Sequence, residues 1–406
     1  MDHTETDFCV VGGGPAGLTM ALLLLRSGVR VTVIERSRTL EREYRGEILQ
    51  PGALALLDQL GVLAGARERG CYELARFQLI ERGDAVLDID YRKLPKPYNY
   101  LLSIPQQHLL AELLVQCGRY EHFRYLAGKR VTDLVTEGGQ VRGVVYDSDQ
   151  ESSVRAHCVI GADGRYSRVR RRAEIDNLRQ EVFDLDVLWF KLPIGDTAVP
   201  NAQIFRGGGN PVLVYKAYPG KLQLGWTLPH GGYRAIADQG VEQARARIGA
   251  AIPPFADLID EHIVSMRDFT LLDVFAAKAQ RWVRDGVVLI GDSAHTHSPL
   301  GAQGINLAIQ DAVVAHPVLM ESLHRKDATA EFLEKFVRIR EPDINRVMKT
   351  QVMQSKGMLS RDSTATVVRH AMIKIMQRTP VFKAITRQIA VGNPAITVAS
   401  NLFTAD

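Results

Sequence analysis

The sequence predicts an α/β protein in which a parallel sheet flanked by helices is interrupted by a mainly antiparallel β-sheet and followed by a helical C-terminal segment. Residues 6–35 predict a strand, a glycine-rich turn, a helix and a second strand, the pattern of a parallel βαβ unit. Residues 180–230 predict short strands separated by Gly, Pro and Asn. Since 406 residues exceed the usual size of one hydrophobic core, we expect two domains.

The N-terminal βαβ unit follows from local residue preferences. Residues 8–11 are a short apolar strand, Pro15 suits the first helical turn, and Gly28 suits the helix end. "VRVTVIE" at 29–35 is then the second parallel strand.

The rest of the chain alternates between helical and strand patterns. Helices are expected at about 51–60 and 106–115, where apolar residues recur at helical spacing. Residues 129–160 change to a strand period and predict a hairpin around a Glu-Gly-Gly turn. After about residue 267 the chain is expected to return to the first domain, and beyond 341 to be helical.

The composition argues against several classes of function. The net charge is +4 and no basic run is interleaved with aromatic residues, so we expect no nucleic-acid partner. The four cysteines lack Cys-x-x-Cys spacing, which argues against a zinc site and a disulfide framework. The apolar stretch 18–25 follows acidic Asp2, Glu5 and Asp7 and is too short to span a bilayer. The sequence therefore predicts a cytoplasmic protein without a transmembrane segment.

A glycine motif between the first strand and helix predicts a dinucleotide site. Gly12 permits the tight turn, Gly14 leaves room for a pyrophosphate at the helix N-terminus, and Gly17 lets the helix pack on the sheet. Glu35 ends the second strand, where a carboxylate would accept hydrogen bonds from a ribose. The alternative, a glycine-rich turn without a ligand, is disfavoured because four features agree.

A second strand-loop-helix element, "VVLIGDSAHTHSPLGAQGINLAIQDA" at 287–312, predicts which dinucleotide binds. Asp292 follows a strand and would bind a ribityl hydroxyl, while the helix from about Gln303 offers positive potential at its N-terminus. A flavin has a ribityl chain and a nicotinamide dinucleotide has none. We therefore expect the two distant elements to hold opposite ends of one FAD.

Three segments together carry a family resemblance. They are "GGGPAG" at 12–17, "CVIGADGRYSRVR" at 158–170 and "GDSAHTHSPLGAQGINLAIQDA" at 291–312. In this order they resemble the flavin-dependent aromatic hydroxylases typified by p-hydroxybenzoate hydroxylase, which are single-component flavoprotein monooxygenases.

The resemblance implies a fold and a domain division. The fold is a Rossmann-like FAD-binding domain with an inserted, mainly antiparallel β-sheet substrate domain and a helical C-terminal segment. The expected ranges are 1–73, 101–178 and 268–340 for the FAD-binding domain, 74–100 and 179–267 for the substrate domain, and 341–406 for the C-terminal segment.

The resemblance also implies site residues. Arg45 would reach the FAD phosphates and ribose, Gln106 would lie near the flavin phosphate, and Asp163 would link the FAD and NAD(P)H regions. The backbone of Pro299 and Gly301 would lie beside the isoalloxazine and form the catalytic surroundings. The expected cofactor-binding residues are Gly12, Gly14, Gly17, Glu35, Arg45, Gln106, Asp163, Asp292, Gly304 and Asn306.

The implied reaction is oxygenation of an aromatic or electron-rich small molecule. NADH or NADPH would reduce the flavin, O₂ would add at C4a, and the resulting hydroperoxide would deliver one oxygen atom. The sequence assigns no side-chain base, does not separate NADH from NADPH, and leaves the oligomeric state unknown.

Two aromatic residues and two histidines have competing interpretations. Tyr215 and Trp226 lie on the predicted sheet and are candidates to line the substrate cavity, although each could instead pack in the core. His295 and His297 could suggest a metal pair, but no carboxylate or cysteine lies at a suitable spacing. We therefore expect no metal.

Three other functions share the FAD signatures. A reductase or dehydrogenase of an isoprenoid-type lipophilic substrate would suit a basic, apolar tail, which could also lie on a membrane or cover a substrate channel. The simpler expectation for that tail is two packed helices divided at Pro380. A flavin halogenase would need a Trp-x-Trp pattern, and "GWTLP" at 225–229 has one Trp. A non-enzymatic FAD-fold binding protein would not need every flavin-contacting position intact.

Overall fold

The computed structural model describes residues 2–41, 47–148, 152–180, 185–194, 199–207, 209–359, 373 and 375–404. The described strands form four sheets, of eight, seven, three and three strands. The strands are β1 (Asp2–Val11), β2 (Val31–Glu35), β3 (Ile48–Leu49), β4 (Tyr72–Leu74), β5 (Arg76–Glu81), β6 (Asp84–Asp90), β7 (Leu101–Ser103), β8 (Phe123–Ala127), β9 (Val131–Glu137), β10 (Gln140–Tyr146), β11 (Ser152–Gly161), β12 (Asn177–Gln180), β13 (Leu185–Pro193), β14 (Asn201–Arg206), β15 (Val212–Ala217), β16 (Lys221–Pro229), β17 (Thr270–Leu272), β18 (Ala276–Ala279), β19 (Val283–Arg284), β20 (Val287–Leu289) and β21 (His295–Thr296). The helices are α1 (Pro15–Arg26), α2 (Pro51–Gln59), α3 (Leu63–Glu68), α4 (Gln106–Cys117), α5 (Arg168–Arg172), α6 (Tyr233–Ala251), α7 (Ala256–His262), α8 (Gly304–Arg325), α9 (Ala330–Leu359) and α10 (Pro380–Val391).

The eight-stranded sheet places the glycine-rich loop. Its order is β19-β20-β11-β1-β2-β8, and β20, β11, β1, β2 and β8 run parallel. The predicted hairpin, β9 and β10, pairs with the first half of β11. α1 joins β1 to β2 and is buried from Ala16 to Leu25, because it packs against both α4 and α8. The carboxyl ends of the parallel strands therefore meet at one edge, where a dinucleotide is expected.

The seven-stranded sheet has two differently packed faces. Its order is β17-β13-β16-β15-β14-β5-β6, and it is antiparallel except where β14 pairs with β5. Leu188 and Phe190 pack with α6 and α7 in one core, whereas Trp189 and Tyr215 point to the main core. The predicted fold class, an α/β FAD-binding fold with an inserted antiparallel sheet and a helical C-terminal segment, is confirmed.

Two predicted boundaries do not coincide with the observed elements. β17 pairs with β13 of the seven-stranded sheet, although it follows the expected return at residue 268. α9 runs through Pro342 across the expected boundary at 341. Pro342 removes one backbone hydrogen bond of the helix. The neighbouring Glu341 forms an ion pair with Lys278 at 2.9 Å. The wider division into domains stays a prediction.

The C-terminal helix α10 packs on the FAD-binding part of the chain. It begins at Pro380, as expected from the sequence, and Gln303 Nε2 donates to the Ile389 carbonyl at 2.9 Å. A Cβ atom on Gly52 would lie 2.1 Å from the Val391 carbonyl oxygen, so α2 and α10 are in direct backbone contact. The tail residues 360–372 lie outside the described residues. Within the described parts of the chain, no helix combines the length and apolarity that crossing a bilayer requires.

Candidate functional site

The glycine-rich loop is tightly packed at two positions. Gly12 has a φ of +109°, and a Cβ there would lie 2.3 Å from the Ala162 carbonyl oxygen. A Cβ on Gly17 would lie 1.9 Å from the Gly12 carbonyl oxygen. Gly14 caps α1 without any side-chain hydrogen bond. The first turn of α1 therefore presents backbone N–H groups that an anion could bind.

Glu35 holds the loop from the end of β2. Its carboxylate is buried, and it accepts hydrogen bonds from the Gly13 N–H at 2.7 Å and the Ser37 N–H at 2.8 Å. The side chain therefore supports the glycine-rich loop from the end of β2.

Asp163 joins two of the three signatures. One carboxylate oxygen accepts from the hydroxyls of Ser167 at 2.5 Å and Ser293 at 3.2 Å. The other accepts from the backbone N–H groups of Arg168 and Val169. Because all these donors belong to the protein, Asp163 fixes the start of α5 and the position of Ser293.

Ser293 ties the same two signatures from the other side. Its hydroxyl accepts from the Gly164 N–H at 2.9 Å, and its carbonyl accepts from Arg170 Nη1 at 2.8 Å. Asp292, its neighbour, has 32% of its side-chain area exposed and lies 3.9 Å from Arg165 Nη2. The structure thus brings all three signatures together, with Asp292 at the accessible side.

A buried charge network supports the third signature. Asp311 accepts from the Gly291 N–H at 2.8 Å, bonds His295 Nε2 at 2.7 Å, and accepts from Arg340 Nε at 2.6 Å. Burial opposes ionisation of Asp311, but the charges of His295 and Arg340 lower its pKa to about 2. His297 Nε2 lies 3.0 Å from His295 Nδ1, and burial followed by the charge on His295 lowers the pKa of His297 to about 3. The two histidines are therefore hydrogen-bonded members of this buried network.

We expect stability to fall as the pH drops below about 6.5. Burial also lowers the pKa of His316 to about 4. In the unfolded chain both His297 and His316 take up a proton near their ordinary pKa of 6.5. In the folded protein His316 takes up its proton only near pH 4 and His297 only near pH 3. Unfolding then absorbs protons, so each histidine lowers the free energy of unfolding by up to about 1.4 kcal/mol per pH unit in that window.

Urea denaturation across this pH range measures the effect. His316→Gln should reduce the pH dependence of the free energy of unfolding, because a glutamine side chain takes up no proton. Gln can also keep the hydrogen bond that His316 Nε2 makes with the Ser27 hydroxyl at 2.8 Å. The exposed His324, changed to Gln, is the control and should leave the slope as in wild type. An unaltered slope in His316→Gln would contradict this assignment.

The loop from Pro299 to Gln303 is held by side chains from distant elements. Gly301 has a φ of +74°, and its carbonyl accepts from Gln50 Nε2 at 2.9 Å. Asn306 accepts from the Gln50 N–H and donates to the Ala302 carbonyl. Tyr91 in turn donates to Gln50 Oε1 at 3.0 Å. Asn306, a predicted cofactor-binding residue, thus has its amide engaged within the protein.

The C-terminal helices complete the support of this loop. Gln351 Nε2 on α9 donates to the carbonyls of Ser298 at 3.1 Å and Leu300 at 2.8 Å. Sequence reasoning missed Gln50, Tyr91 and Gln351. The sequence contained one indication for Gln50, because it lies in the segment "RGEILQPG" together with Arg45, which the family resemblance assigns to the FAD.

The described residues fit an extended dinucleotide such as FAD. Added Cβ atoms on Gly164 and Gly304 would meet nothing within 4 Å, so open space borders both backbones. α8 begins, like α1, without a side-chain cap. Gln106 is buried at the start of α4. Uncapped helix N-termini, of which that of α8 has open space at Gly304, are features that bind phosphate and other anionic groups. Arg45 lies outside the described residues.

The two residues predicted to line the substrate cavity lie on opposite faces of the seven-stranded sheet. Tyr215 is buried on the face toward the FAD-binding part. Trp226 is buried in the other core, with Ile236 of α6 and Ile259 of α7. The prediction for Trp226 is therefore wrong, because strand alternation turns it away from the site.

A cluster with possible metal ligands lies elsewhere on this sheet. Ligand atoms of Asp186, His230 and Asp273 lie within 4.8 Å of one another. Asp186 already accepts from the Gly231 N–H at 2.9 Å, and Asp273 accepts from Arg179 Nη2 at 3.0 Å. These contacts account for the cluster without an ion.

The comparisons with known proteins identify the family of this chain. Residues 5–351 match the family model described as an FAD binding domain, and the chain belongs to this family. It is an FAD-dependent monooxygenase of the aromatic hydroxylase type, and the reductase, halogenase and non-enzymatic alternatives are not favoured.

One sequence relative and two solved structures show what this chain is most informatively compared with. The 6-methylpretetramide 4-monooxygenase of Streptomyces rimosus is 56% identical over 403 residues, which cover 99% of this chain and 96% of the relative. The p-nitrophenol 4-monooxygenase PnpA of Pseudomonas putida has a TM-score of 0.80 at 19% identity, covering 97% of this chain and 100% of that chain. OxyS anhydrotetracycline hydroxylase of Streptomyces rimosus has a TM-score of 0.75 at 21% identity, covering 95% and 76%. The two structural likenesses show the shared fold.

Proposed function

We propose that this enzyme uses NADH or NADPH and O₂ to hydroxylate 6-methylpretetramide, or a closely similar aromatic polyketide, at one ring position. The observation that carries the proposal is 56% identity, across 99% of the chain, to a 6-methylpretetramide 4-monooxygenase. The uncapped N-termini of α1 and α8 and the loop held by Gln50 and Gln351 support this proposal. A cytoplasmic location stays a prediction from the sequence.

We infer that the first signature holds the adenosine half of FAD. The pyrophosphate would lie at the N-terminus of α1 over Gly12 and Gly14, while Gly17 keeps that helix against the sheet. Glu35 would accept hydrogen bonds from the ribose hydroxyls. Gln106 would lie near the phosphate, and Arg45 is assigned to the phosphates by the family resemblance.

The third signature would hold the flavin half. Asp292 would bind the ribityl chain, and the first turn of α8 at Gly304 would face the ring edge that becomes negative on reduction. Pro299 and Gly301 would border the ring through their backbone atoms. We infer that Asn306 acts on the FAD indirectly, by shaping the loop, since its amide bonds Gln50 and Ala302.

When bound, reduced FAD supplies the electrons that activate O₂ for transfer of one oxygen atom. The chain contributes position and a dry environment. Gln50, Gln303 and Gln351 fix the loop by its carbonyl groups, so they limit its motion beside the ring. Exclusion of water keeps the activated oxygen from being lost as hydrogen peroxide.

The proposal is tested by supplying 6-methylpretetramide to the purified, FAD-loaded enzyme. We expect it to accelerate NAD(P)H oxidation and O₂ consumption and to yield a product heavier by one oxygen atom. Acceleration without any oxygenated product would identify the compound as an effector only. No acceleration with either coenzyme would contradict the proposed substrate.

Asp292→Ala should weaken FAD binding. The substitution removes a charge-assisted hydrogen bond to the ribityl chain, which costs about 1.5–3 kcal/mol and raises the Kd for FAD about 10- to 150-fold. The measurement is flavin content after dialysis, beside a control in which the exposed Asp257 on α7 is changed to Ala. Full retention of FAD by Asp292→Ala would mean that this carboxylate does not contact the cofactor.

Gly301→Asp should uncouple NAD(P)H oxidation from oxygenation. A carboxylate at this position places negative charge where reduction of the ring adds negative charge, and it also attracts water. We expect slower NAD(P)H oxidation and a larger share of the reducing equivalents recovered as hydrogen peroxide.

Gly301→Asn is the matched control for this prediction. Because φ at Gly301 is +74°, any side chain there is strained, and Asn imposes a similar strain without the charge. Peroxide yield per NAD(P)H separates the two variants. Equal yields in Asp and Asn variants that are both folded and FAD-loaded would contradict an electrostatic role for this loop.

A further inference from the structure

Polar side chains line up on the face of the seven-stranded sheet that points to the FAD-binding part. Lys191 on β13 pairs across the strands with Gln223 on β16, which pairs with Tyr215 on β15. Directly opposed residues on one face have Cβ atoms about 5 Å apart. The alternate residues Leu224 and Val214 belong to the other core, so these three side chains share one face. We call Lys191, Gln223 and Tyr215 the polar row.

Glu47 meets the polar row from the FAD-binding side. It precedes β3, and its Oε1 accepts from Lys191 Nζ at 2.7 Å. Its second oxygen, Oε2, is buried and has no hydrogen-bond partner among the described residues. Gln223 Oε1 and Trp189 Nε1, on the same face of the sheet, are buried without partners as well. Unpaired buried polar groups are rare and costly, so two on this face of the sheet and one on Glu47 opposite it indicate groups kept for a ligand.

The electrostatics of Glu47 suit a proton acceptor. Burial raises the pKa of Glu47, and Lys191, followed by His108 on α4 and Lys221 on β16, opposes that rise. Burial and the nearby Glu47 raise the pKa of Tyr215 well above its usual range, so this phenol stays protonated. A carboxylate whose pKa lies closer to neutral is a better general base than an exposed one.

We propose that Glu47 accepts the proton of a substrate hydroxyl group that is bound against the polar row. This inference rests on the proposed function, in which the substrate is an aromatic polyketide, and it adds that this substrate carries a phenolic hydroxyl group. The substrate O–H bond breaks, a new O–H bond forms at Glu47 Oε2, and the electron pair stays on the substrate oxygen. That charge enriches the ring that receives the oxygen atom, and the proton passes to solvent when product leaves.

The test compares Glu47→Gln with a matched control, Glu112→Gln. Glu112 is also buried and ion-paired, 3.3 Å from Arg69, but it lies on α4 and its hydrogen-bond partners are Arg69 and Gln116, not residues of the polar row. With 6-methylpretetramide, Glu47→Gln should lower kcat about 100-fold or more and remove the acidic limb of the kcat–pH profile. Glu112→Gln should keep both, and both variants should hold FAD as wild type does.

A binding measurement without turnover provides the second readout. Titration of oxidised enzyme should show that wild type prefers 6-methylpretetramide over its O-methyl ether, which has no proton to give. Glu47→Gln should lose most of that preference. Lys191→Met should move the acidic limb of kcat to higher pH, because loss of the cation raises the pKa of Glu47 further.

The outcomes separate this inference from the proposed function. Wild-type kcat, or a reduced kcat with an unchanged acidic limb, in Glu47→Gln would overturn the role of Glu47 while leaving the substrate in place. If Glu47→Gln does not fold, an acidic limb that stays fixed in Lys191→Met would overturn it equally. Wild-type enzyme that neither binds nor oxygenates 6-methylpretetramide would contradict the proposed function and this inference with it.

Discussion

Gly12→Ala is expected to yield protein that is strongly destabilised and holds no FAD. The added Cβ would lie 2.3 Å from the Ala162 carbonyl oxygen, and a φ of +109° is a conformation that side chains rarely adopt. Strain and overlap in a packed site each cost about 1–3 kcal/mol, a large part of the stability of a typical domain. Thermal denaturation and the flavin absorbance of the purified protein measure both effects.

Gly138→Ala is the matched control for this substitution. Its φ is +57°, also in the left-handed region, but an added Cβ there would meet nothing within 4 Å. It should cost about 1 kcal/mol and leave FAD binding intact. If the two variants behaved alike, contact between the glycine-rich loop and Ala162 would not be what fixes this loop.

Arg340→Met is expected to lower the free energy of unfolding by about 3–5 kcal/mol. Arg340 is 1% exposed and donates to Asp311, which is itself fully buried. Without the guanidinium, Asp311 keeps His295 and the Gly291 N–H but loses a charge that holds its pKa near 2. Urea denaturation at neutral pH measures the loss.

Arg346→Met separates this network from ordinary surface charge on the same helix. Arg346 forms an ion pair with Asp343 at 3.3 Å, but 57% of its side chain is exposed. An exposed pair contributes about 0–1 kcal/mol, so the control should be nearly neutral. A comparably small loss in Arg340→Met would show that the buried network does not anchor the third signature.

Local sequence patterns predict one half of the candidate site. Gly12, Glu35 and Asp292 are assigned by a strand that ends, a turn that needs glycine, and a helix that begins, and each of these is a short-range feature. The structure places all three at the carboxyl ends of the parallel strands β1, β2 and β20.

The other half depends on contacts between residues far apart in the chain. Gln50 bonds Gly301 across 251 positions, and Lys191 meets Glu47 across 144. No local pattern encodes such pairs, because they form only when segments that are distant in the sequence pack together. The face of Trp226 likewise depends on strand register, which alternates with every residue and cannot be inferred from an aromatic residue alone.

The central claim is that this chain transfers one atom of O₂ to an aromatic substrate. The direct measurement is mass spectrometry of the product formed from 6-methylpretetramide by FAD-loaded enzyme and NAD(P)H under ¹⁸O₂ in ordinary water. The account predicts a product that carries a single ¹⁸O atom in a new hydroxyl group. A product whose new oxygen comes from water, or a product that is dehydrogenated without added oxygen, would contradict it.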